Sequence, residues 1–272
     1  MKPLVIEPTA LAKLLADEPK GTEYLVVDLC RDENYLRHHI PGAVHISPAE
    51  LISGTPPAVG KLPSVDRLER LFSRIGYEPG KHIVAYDDEG GGWAGRFIWT
   101  LDVVGHQKSS YLNGGLIAWA EDQLPLTASA TETKETSVSL TIHPEFIAEQ
   151  TEVLTSLSEA NTQIWDARSP EEYMGEKVFA ARGGHIPGSI NLDWMELMDR
   201  QNGLRLRQDI GSLVSAKGFK SSSKIITHCQ THHRSGLTYL VGKILGLNIK
   251  AYHGSWAEWG NDSDTPIDNP AA

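Results

Sequence analysis

Short apolar runs, often β-branched, alternate along the chain with segments of helical periodicity. The runs predict four strands in each half, at residues 24–29, 44–46, 82–86 and 110–112 and again at 163–167, 189–192, 224–228 and 249–252. Between two of them, Ser64 is placed to cap a helix whose apolar side chains share one face (Val65, Leu68, Leu71, Phe72 and Ile75). Apolar strands separated by helices predict an α/β fold of mostly parallel sheets with helices on both faces.

The two halves repeat the same pattern of residues. In each, an aspartate that ends an apolar run is followed seven positions later by a tyrosine, and then by a turn that reads His-Ile-Pro-Gly. The second copy carries additional residues, 175–184, before that turn. Two copies of this length indicate two similar domains rather than an array of short repeats. The paired positions are Asp28 and Asp166, Tyr35 and Tyr173, and His39 and His185.

A polar segment separates the two copies. Residues 127–137 are rich in Thr and Ser and lack apolar periodicity, which is typical of a linker. We therefore predict a first domain at residues 1–126, a linker at 127–140 and a second domain at 141–272. Each domain is long enough to bury a core of its own.

The charge and cysteine content narrow the class of protein. With 25 Lys and Arg against 35 Asp and Glu, the net charge of −10 disfavours nucleic acid and anionic membranes as partners. Only Cys30 and Cys229 are present, so there is no disulfide framework, and a packing role is expected for Cys30. No signal peptide or membrane-spanning run is recognisable, so we expect a cytoplasmic protein, and we expect a monomer.

The second half contains a candidate nucleophile, Cys229. It follows the apolar run 224–228 and precedes a helical segment, so loop amides and the helix dipole should act on its sulfur. The positive charge of Arg234, to which His232 and His233 are expected to add, favours thiolate over thiol and lowers a pKa that is ordinarily about 8.5. The same loop would bind an anionic substrate. Its residues are Gln230, Thr231, His232, His233, Arg234 and Ser235.

Three other roles of Cys229 are compatible with its position in the sequence. It could be a buried small hydrophobe, but the residues that follow it are polar. It could bind a metal with His232, but no second Cys/His pair has a matching spacing, so no metal is expected. It could be a phosphatase nucleophile, but those enzymes place five residues between Cys and Arg, and here four separate Cys229 from Arg234. A tighter loop suits a sulfur atom better than a phosphate group.

The equivalent loop of the first half has a different composition. Asp87, Asp88 and Glu89 stand where the thiol and its basic neighbours would be, so this half is expected to be inactive. The G-x-G-x-x-G pattern of dinucleotide sites fits Gly90, Gly92 and Gly95. However, Asn113 occupies the position where such a site needs an acidic residue. We therefore predict no cofactor.

Residues outside the loop are expected to support the site. Asp166 and Arg168 stand at a strand end in the same half as Cys229, and Asp166 is expected to accept hydrogen bonds from backbone or arginine. Trp194 is expected either to line the entrance to the pocket or to be an ordinary core residue. The histidines of the His-Ile-Pro-Gly turns are expected to be hydrogen-bonded anchors.

The duplicated halves, the Asp, Glu-x-Tyr and His-Ile-Pro-Gly motifs and the six-residue loop from Cys229 to Arg234 resemble the rhodanese family. The resemblance implies two tandem rhodanese-like domains, the first inactive and the second catalytic. It also implies sulfur transfer by double displacement through a persulfide on Cys229, without a cofactor. The donor would be thiosulfate or another sulfane sulfur, and the acceptor a thiol, or cyanide in an assay. Arg234 would stabilise the anionic donor and its leaving group.

Glu172 departs from the family pattern, because animal members carry an arginine for substrate at that position. Two other functions use the same thiolate. A sulfur carrier would pass persulfide sulfur to a partner protein, and a redox sensor would oxidise at Cys229.

Overall fold

The computed structural model describes residues 2–17 and 23–272 and contains two five-stranded parallel sheets of the same topology. In the first half the strand order is β1-β5-β4-β2-β3. The elements are β1 (Val5–Ile6), α1 (Pro8–Asp17), β2 (Tyr24–Asp28), α2 (Asp32–Arg37), β3 (Val44–His45), α3 (Val65–Arg74), β4 (His82–Tyr86), α4 (Gly92–Val103), β5 (Ser109–Leu112) and α5 (Gly115–Glu121).

The second half has the equivalent order, β6-β12-β11-β7-β8, and adds an antiparallel pair, β9 and β10. Short 3₁₀ helices occur at Pro48–Leu51, Pro144–Phe146 and Trp194–Leu197. The elements are β6 (Ile147–Ala148), α6 (Gln150–Ser156), β7 (Thr162–Asp166), α7 (Pro170–Tyr173), β8 (Ile190–Asn191), β9 (Met198–Asp199), β10 (Arg205–Leu206), α8 (Ile210–Ala216), β11 (Lys224–His228), α9 (Arg234–Ile244), β12 (Asn248–Tyr252) and α10 (Ser255–Trp259).

All eight predicted strands are present, and the α/β fold with two mostly parallel sheets is confirmed. The short strands β1, β6, β9 and β10 were not predicted. The helix after Ser64 is also present, but the serine side chain makes no capping hydrogen bond. Its carbonyl instead accepts hydrogen bonds from the amides of Arg67 and Leu68.

The expectation of a separate core in each half is wrong for the region between the sheets. One continuous core there combines buried side chains of both halves, including Phe97, Leu101, Leu237 and Val241. Only the outer faces have clusters of their own. The halves merge because α4 and α9 pack against each other with their backbones nearly in contact.

This packing also positions the candidate site. Strands β4 and β11 occupy equivalent central positions and lead into α4 and α9. Because these two helices are in contact, the loops that precede them meet at the same edge of the molecule. Within the described ranges, every helix is too short or too polar to cross a lipid bilayer.

Candidate active site

Cys229 lies directly after β11, five positions before the first residue of α9. It is almost fully buried, with 1% of its surface exposed. Its amide donates a hydrogen bond to Ser255 Oγ at 3.3 Å, and its carbonyl accepts one from the amide of Trp256 at 2.9 Å. The first residues of α10 therefore hold the Cys229 backbone through these two hydrogen bonds.

The surroundings of the Cys229 sulfur favour its anionic form. Burial acts to raise the thiol pKa, but the charge of Arg234 and hydrogen bonds from the hydroxyl and amide of Ser235 act more strongly together and lower it. The charge of His233 adds to this lowering. The net pKa is below the ordinary cysteine value, as a nucleophilic thiolate requires.

Arg234 is held by a carboxylate in the second half itself. Its Nη1 and Nη2 donate to Glu172 Oε2 and Oε1 at 2.5 and 2.9 Å, so the guanidinium and carboxylate form a two-pronged ion pair. The Glu172 residue is buried, and Arg234 holds its carboxyl pKa low against the opposing effect of burial. Both terminal nitrogens of Arg234 are therefore engaged before any substrate binds.

His232 does not add positive charge to the loop, contrary to expectation. It is fully buried, and burial places the pKa of its ring well below the ordinary value, so the ring is neutral at neutral pH. Its Nδ1 lies 2.7 Å from Ser235 Oγ. Its ring stands edge-on to Trp99 of the first half, with centroids 4.5 Å apart. The ring therefore anchors Ser235 and faces the interface between the halves.

His233 connects the loop to the first half of the chain. Its Nε2 contacts Glu89 Oε1 in a short hydrogen bond. Its ring stacks on Trp93 with centroids 4.4 Å apart, and the half-buried Trp194 lies 5.6 Å away on another side. The acidic loop of the first half thus forms part of the wall beside Cys229.

Gln230 and Thr231 complete the loop. Gln230 Nε2 donates to the carbonyl of Phe179 at 3.1 Å, inside the segment that only the second copy carries. Within the described chain its Oε1 is buried without a partner. The backbone of Thr231 presses on Gly60, where an added Cβ would lie 2.0 Å from the Thr231 carbonyl oxygen.

Asp166 and Arg168 form a buried ion pair beneath the loop. Arg168 Nη2 donates to Asp166 Oδ2 at 2.6 Å and to the carbonyl of Gly184 at 2.8 Å. Burial alone would raise the Asp166 pKa, but Arg168 lowers it to about 2. The Arg168 guanidinium also stacks over Trp256, which bonds the carbonyl of Cys229. The pair therefore supports the Cys229 backbone through Trp256.

The loop of the first half shows what replaces the cysteine. Asp87 follows β4 at the position equivalent to Cys229, and its carboxylate accepts hydrogen bonds from four loop amides. The two strongest come from Gly91 and Ala94, both at 2.9 Å. Burial raises its pKa to about 6, so it is mainly ionised at neutral pH. In the first half, the Asp87 carboxylate therefore occupies the place where the loop amides would bind an anion.

Several residues of this site were not predicted from sequence. The role of Glu172 was not predicted, because its partner Arg234 stands 62 positions away in the sequence. Ser255 and Gly60 come from distant parts of the chain and carry no local signal. Among residues 2–17 and 23–272, no group of three or more His, Cys, Asp or Glu side chains could hold a metal ion.

The His-Ile-Pro-Gly histidines are hydrogen-bonded anchors, as predicted. His39 Nδ1 lies 2.7 Å from the carbonyl of Tyr35, and His185 Nδ1 lies 2.8 Å from that of Tyr173. Each ring also stacks on that tyrosine. The repeated motif therefore stabilises each half rather than supplying chemistry.

Comparison with known proteins agrees with this arrangement. A family model for the rhodanese-like domain matches residues 7–122 and again 149–262. Thiosulfate sulfurtransferases of Azotobacter vinelandii and Pseudomonas aeruginosa are 49% and 48% identical over 267 residues, covering 98% of this chain and 97% of each relative. The chain therefore belongs to the rhodanese family and carries two of its domains.

A solved structure extends the likeness of fold. The anaerobic ergothioneine biosynthesis enzyme from Chlorobium limicola aligns with 99% of this chain and 71% of its own, with a TM-score of 0.86 at 19% identity. At that identity the match concerns the fold alone.

Proposed function

We propose that this protein is a thiosulfate sulfurtransferase that carries sulfur as a persulfide on Cys229. The observation that carries the proposal is the buried thiol after β11, whose pKa is lowered by Arg234 and Ser235. The two near full-length relatives bearing that name support the choice of donor. In this proposal residues 141–272 are the catalytic domain, 1–126 the inactive one and 127–140 the linker.

The reaction needs no external oxidant or reductant. The Cys229 thiolate attacks the outer sulfur of thiosulfate, the S–S bond breaks, and sulfite leaves with the electron pair. The acceptor then attacks the terminal sulfur of the persulfide and restores the thiolate; with cyanide the product is thiocyanate. Splitting one transfer into two displacements is covalent catalysis.

The surrounding groups have distinct roles in these steps. Ser235 donates hydrogen bonds to the sulfur anion before attack, and loop amides near the helix α9 N-terminus stabilise the persulfide charge. Arg234 contributes its charge to Cys229, while Glu172 accepts one hydrogen bond from each of its two terminal nitrogens. Gln230, Thr231, His232 and His233 shape the loop, Asp166 and Arg168 support it, and Trp194 lines its entrance beside His233.

The test is intact mass spectrometry after brief exposure to excess thiosulfate, with Cys229→Ser as the matched control. The wild type should gain the mass of one sulfur atom, the variant should gain none, and cyanide should remove the adduct. Absence of an adduct on the wild type would contradict the proposal. We expect the enzyme to act as a cytoplasmic monomer that turns over rapidly with cyanide. A persulfide that forms but turns over slowly would favour a sulfur carrier.

A further inference from the structure

Arg96 is a fully buried arginine of the first half that lies against the catalytic loop of the second. It stands in α4, and its three hydrogen bonds in the described chain all end on carbonyl oxygens. Nη1 donates to Gly60 at 2.8 Å and, more weakly, to His232 at 3.4 Å, and Nη2 donates to Leu51 at 2.8 Å. A planar guanidinium can bridge three such acceptors in fixed directions, which an ammonium cannot.

The contact with His232 falls at the most unusual point of the loop backbone. His232 has a φ of +54°, in the left-handed region that a residue with a side chain adopts only when its surroundings hold it there. The Arg96 guanidinium lies over the Trp99 ring at 4.5 Å, and that ring in turn packs against the His232 ring. Arg96 and Trp99 together therefore hold both the carbonyl and the side chain of His232.

None of the hydrogen-bond partners of Arg96 in the described chain is a carboxylate. Burial lowers its pKa to about 9, and the negative charge of Cys229 opposes that lowering. The guanidinium is thus still mainly protonated at neutral pH. A cation that is costly to bury is usually compensated by an anion nearby. The negative charge that acts on it is that of Cys229, whereas the pKa of Cys229 itself is lowered by Arg234, Ser235 and His233.

We propose that Arg96 is a positioning residue for sulfur transfer, supplied by the half of the chain that lacks the nucleophile. It fixes the carbonyl of His232, and with it the turn that presents Ser235 to the sulfur. The inference rests on the proposed function, and it gives the first domain a part in holding the loop of the second.

The test compares three full-length variants. Arg96→Met removes the charge and keeps much of the volume, whereas Arg96→Lys keeps a charge without the planar fork. Lys243→Met is the matched control, because Lys243 is another cation at the α4 and α9 interface but pairs with Asp102 at 2.5 and 2.7 Å. Urea unfolding of each variant establishes that it is folded under the assay conditions.

The first readout is the pH dependence of Cys229 alkylation by iodoacetamide, followed on the Cys229 peptide. Arg96→Met should shift the alkylation profile of Cys229 to higher pH, because the turn then holds Ser235 less well and its hydrogen bonds to the sulfur anion weaken. Arg96→Lys cannot bridge three carbonyls in fixed directions, so it should shift the profile in the same direction and lower kcat. Lys243→Met should change neither, whatever its effect on stability.

A wild-type alkylation profile in the folded Arg96→Met variant would overturn the inference. An Arg96→Lys variant with the wild-type profile and kcat would also overturn it, because the planar fork would then not matter. Alkylation requires no sulfur donor, so these results are independent of the mass measurement. If the wild type gains no sulfur, the proposed function fails even where the alkylation profile shifts. If it gains sulfur and the profile is unchanged, only the role of Arg96 fails.

Discussion

Gly60 offers the sharpest test of how closely the two halves must fit at the site. It belongs to the first half, is buried, and touches the backbone of Thr231 in the catalytic loop. A Cβ added there would lie 2.0 Å from the Thr231 carbonyl oxygen and 2.5 Å from its carbon. Ordinary contact between heavy atoms requires about 3.5 Å. The Gly60→Ala variant must therefore push the two backbones apart by more than about 1 Å.

The expected consequence is a large loss of activity with a moderate loss of stability. A misplacement of about 1 Å near reacting groups can lower the rate about 100-fold. Overpacking a buried contact typically costs about 1–3 kcal/mol. We therefore expect kcat/KM for thiosulfate and cyanide to fall about 100-fold in Gly60→Ala, while the protein still unfolds cooperatively in urea.

Gly80→Ala is the matched control. Nothing lies within 4 Å of the position that its Cβ would occupy, so this change should leave activity unaltered. Replacing an unstrained glycine can even stabilise a protein by about 0.4–1 kcal/mol. A Gly60→Ala enzyme with wild-type kcat/KM would refute the reasoning, because it would mean that the catalytic loop does not depend on contact with the first half.

Three further changes test single interactions. Glu172→Gln removes the negative charge that competes with an anionic donor, so the KM for thiosulfate should fall several-fold in initial-rate assays. Glu171 is exposed, so Glu171→Gln should leave the KM unchanged. A higher KM in Glu172→Gln would contradict this account. Asp166→Asn leaves its buried arginine partner unpaired and should lower the free energy of unfolding by about 3–5 kcal/mol at pH 7 in urea titrations. Because the folded-state pKa of Asp166 is depressed to about 2, the wild type keeps this contribution above about pH 4 and loses it as the pH falls towards 2. Ser235→Ala removes a hydrogen bond to the sulfur anion, so it should shift the alkylation profile of the Cys229 thiol to higher pH. Burial raises the thiol pKa of Cys30, so Cys30 should stay unreactive in the wild type and the variant.

The strands and the candidate nucleophile were predictable from sequence for a physical reason. Central strands of a parallel sheet are buried on both faces, so their apolar runs are continuous and easily recognised. The polar loop from Cys229 to Arg234 contrasts with the run that precedes it. The duplication also supports the predicted strands, because the motifs around them occur in both halves at matching spacing.

What the sequence did not predict depends on long-range packing. The contact of Arg96 with His232 and that of Gly60 with Thr231 join residues more than 100 positions apart, and no local pattern encodes them. The neutral state of His232 follows from full burial against Trp99, which composition does not reveal. The ion pair of Arg234 with Glu172 was also missed, because the two residues stand 62 positions apart in the sequence.

The carboxylate of Asp87 shows that this type of loop is built around a negative charge, whatever atom bears it. In the first half the charge belongs to a carboxylate held by four amides, and its pKa of about 6 leaves it mainly ionised at neutral pH. In the second half the equivalent position is held by a sulfur whose charge comes and goes with protonation and loading. In the function that we propose, the second loop is the same scaffold with its central anion made exchangeable. The first half of the protein consequently holds a covalently fixed counterpart of the anion that we propose for the second half.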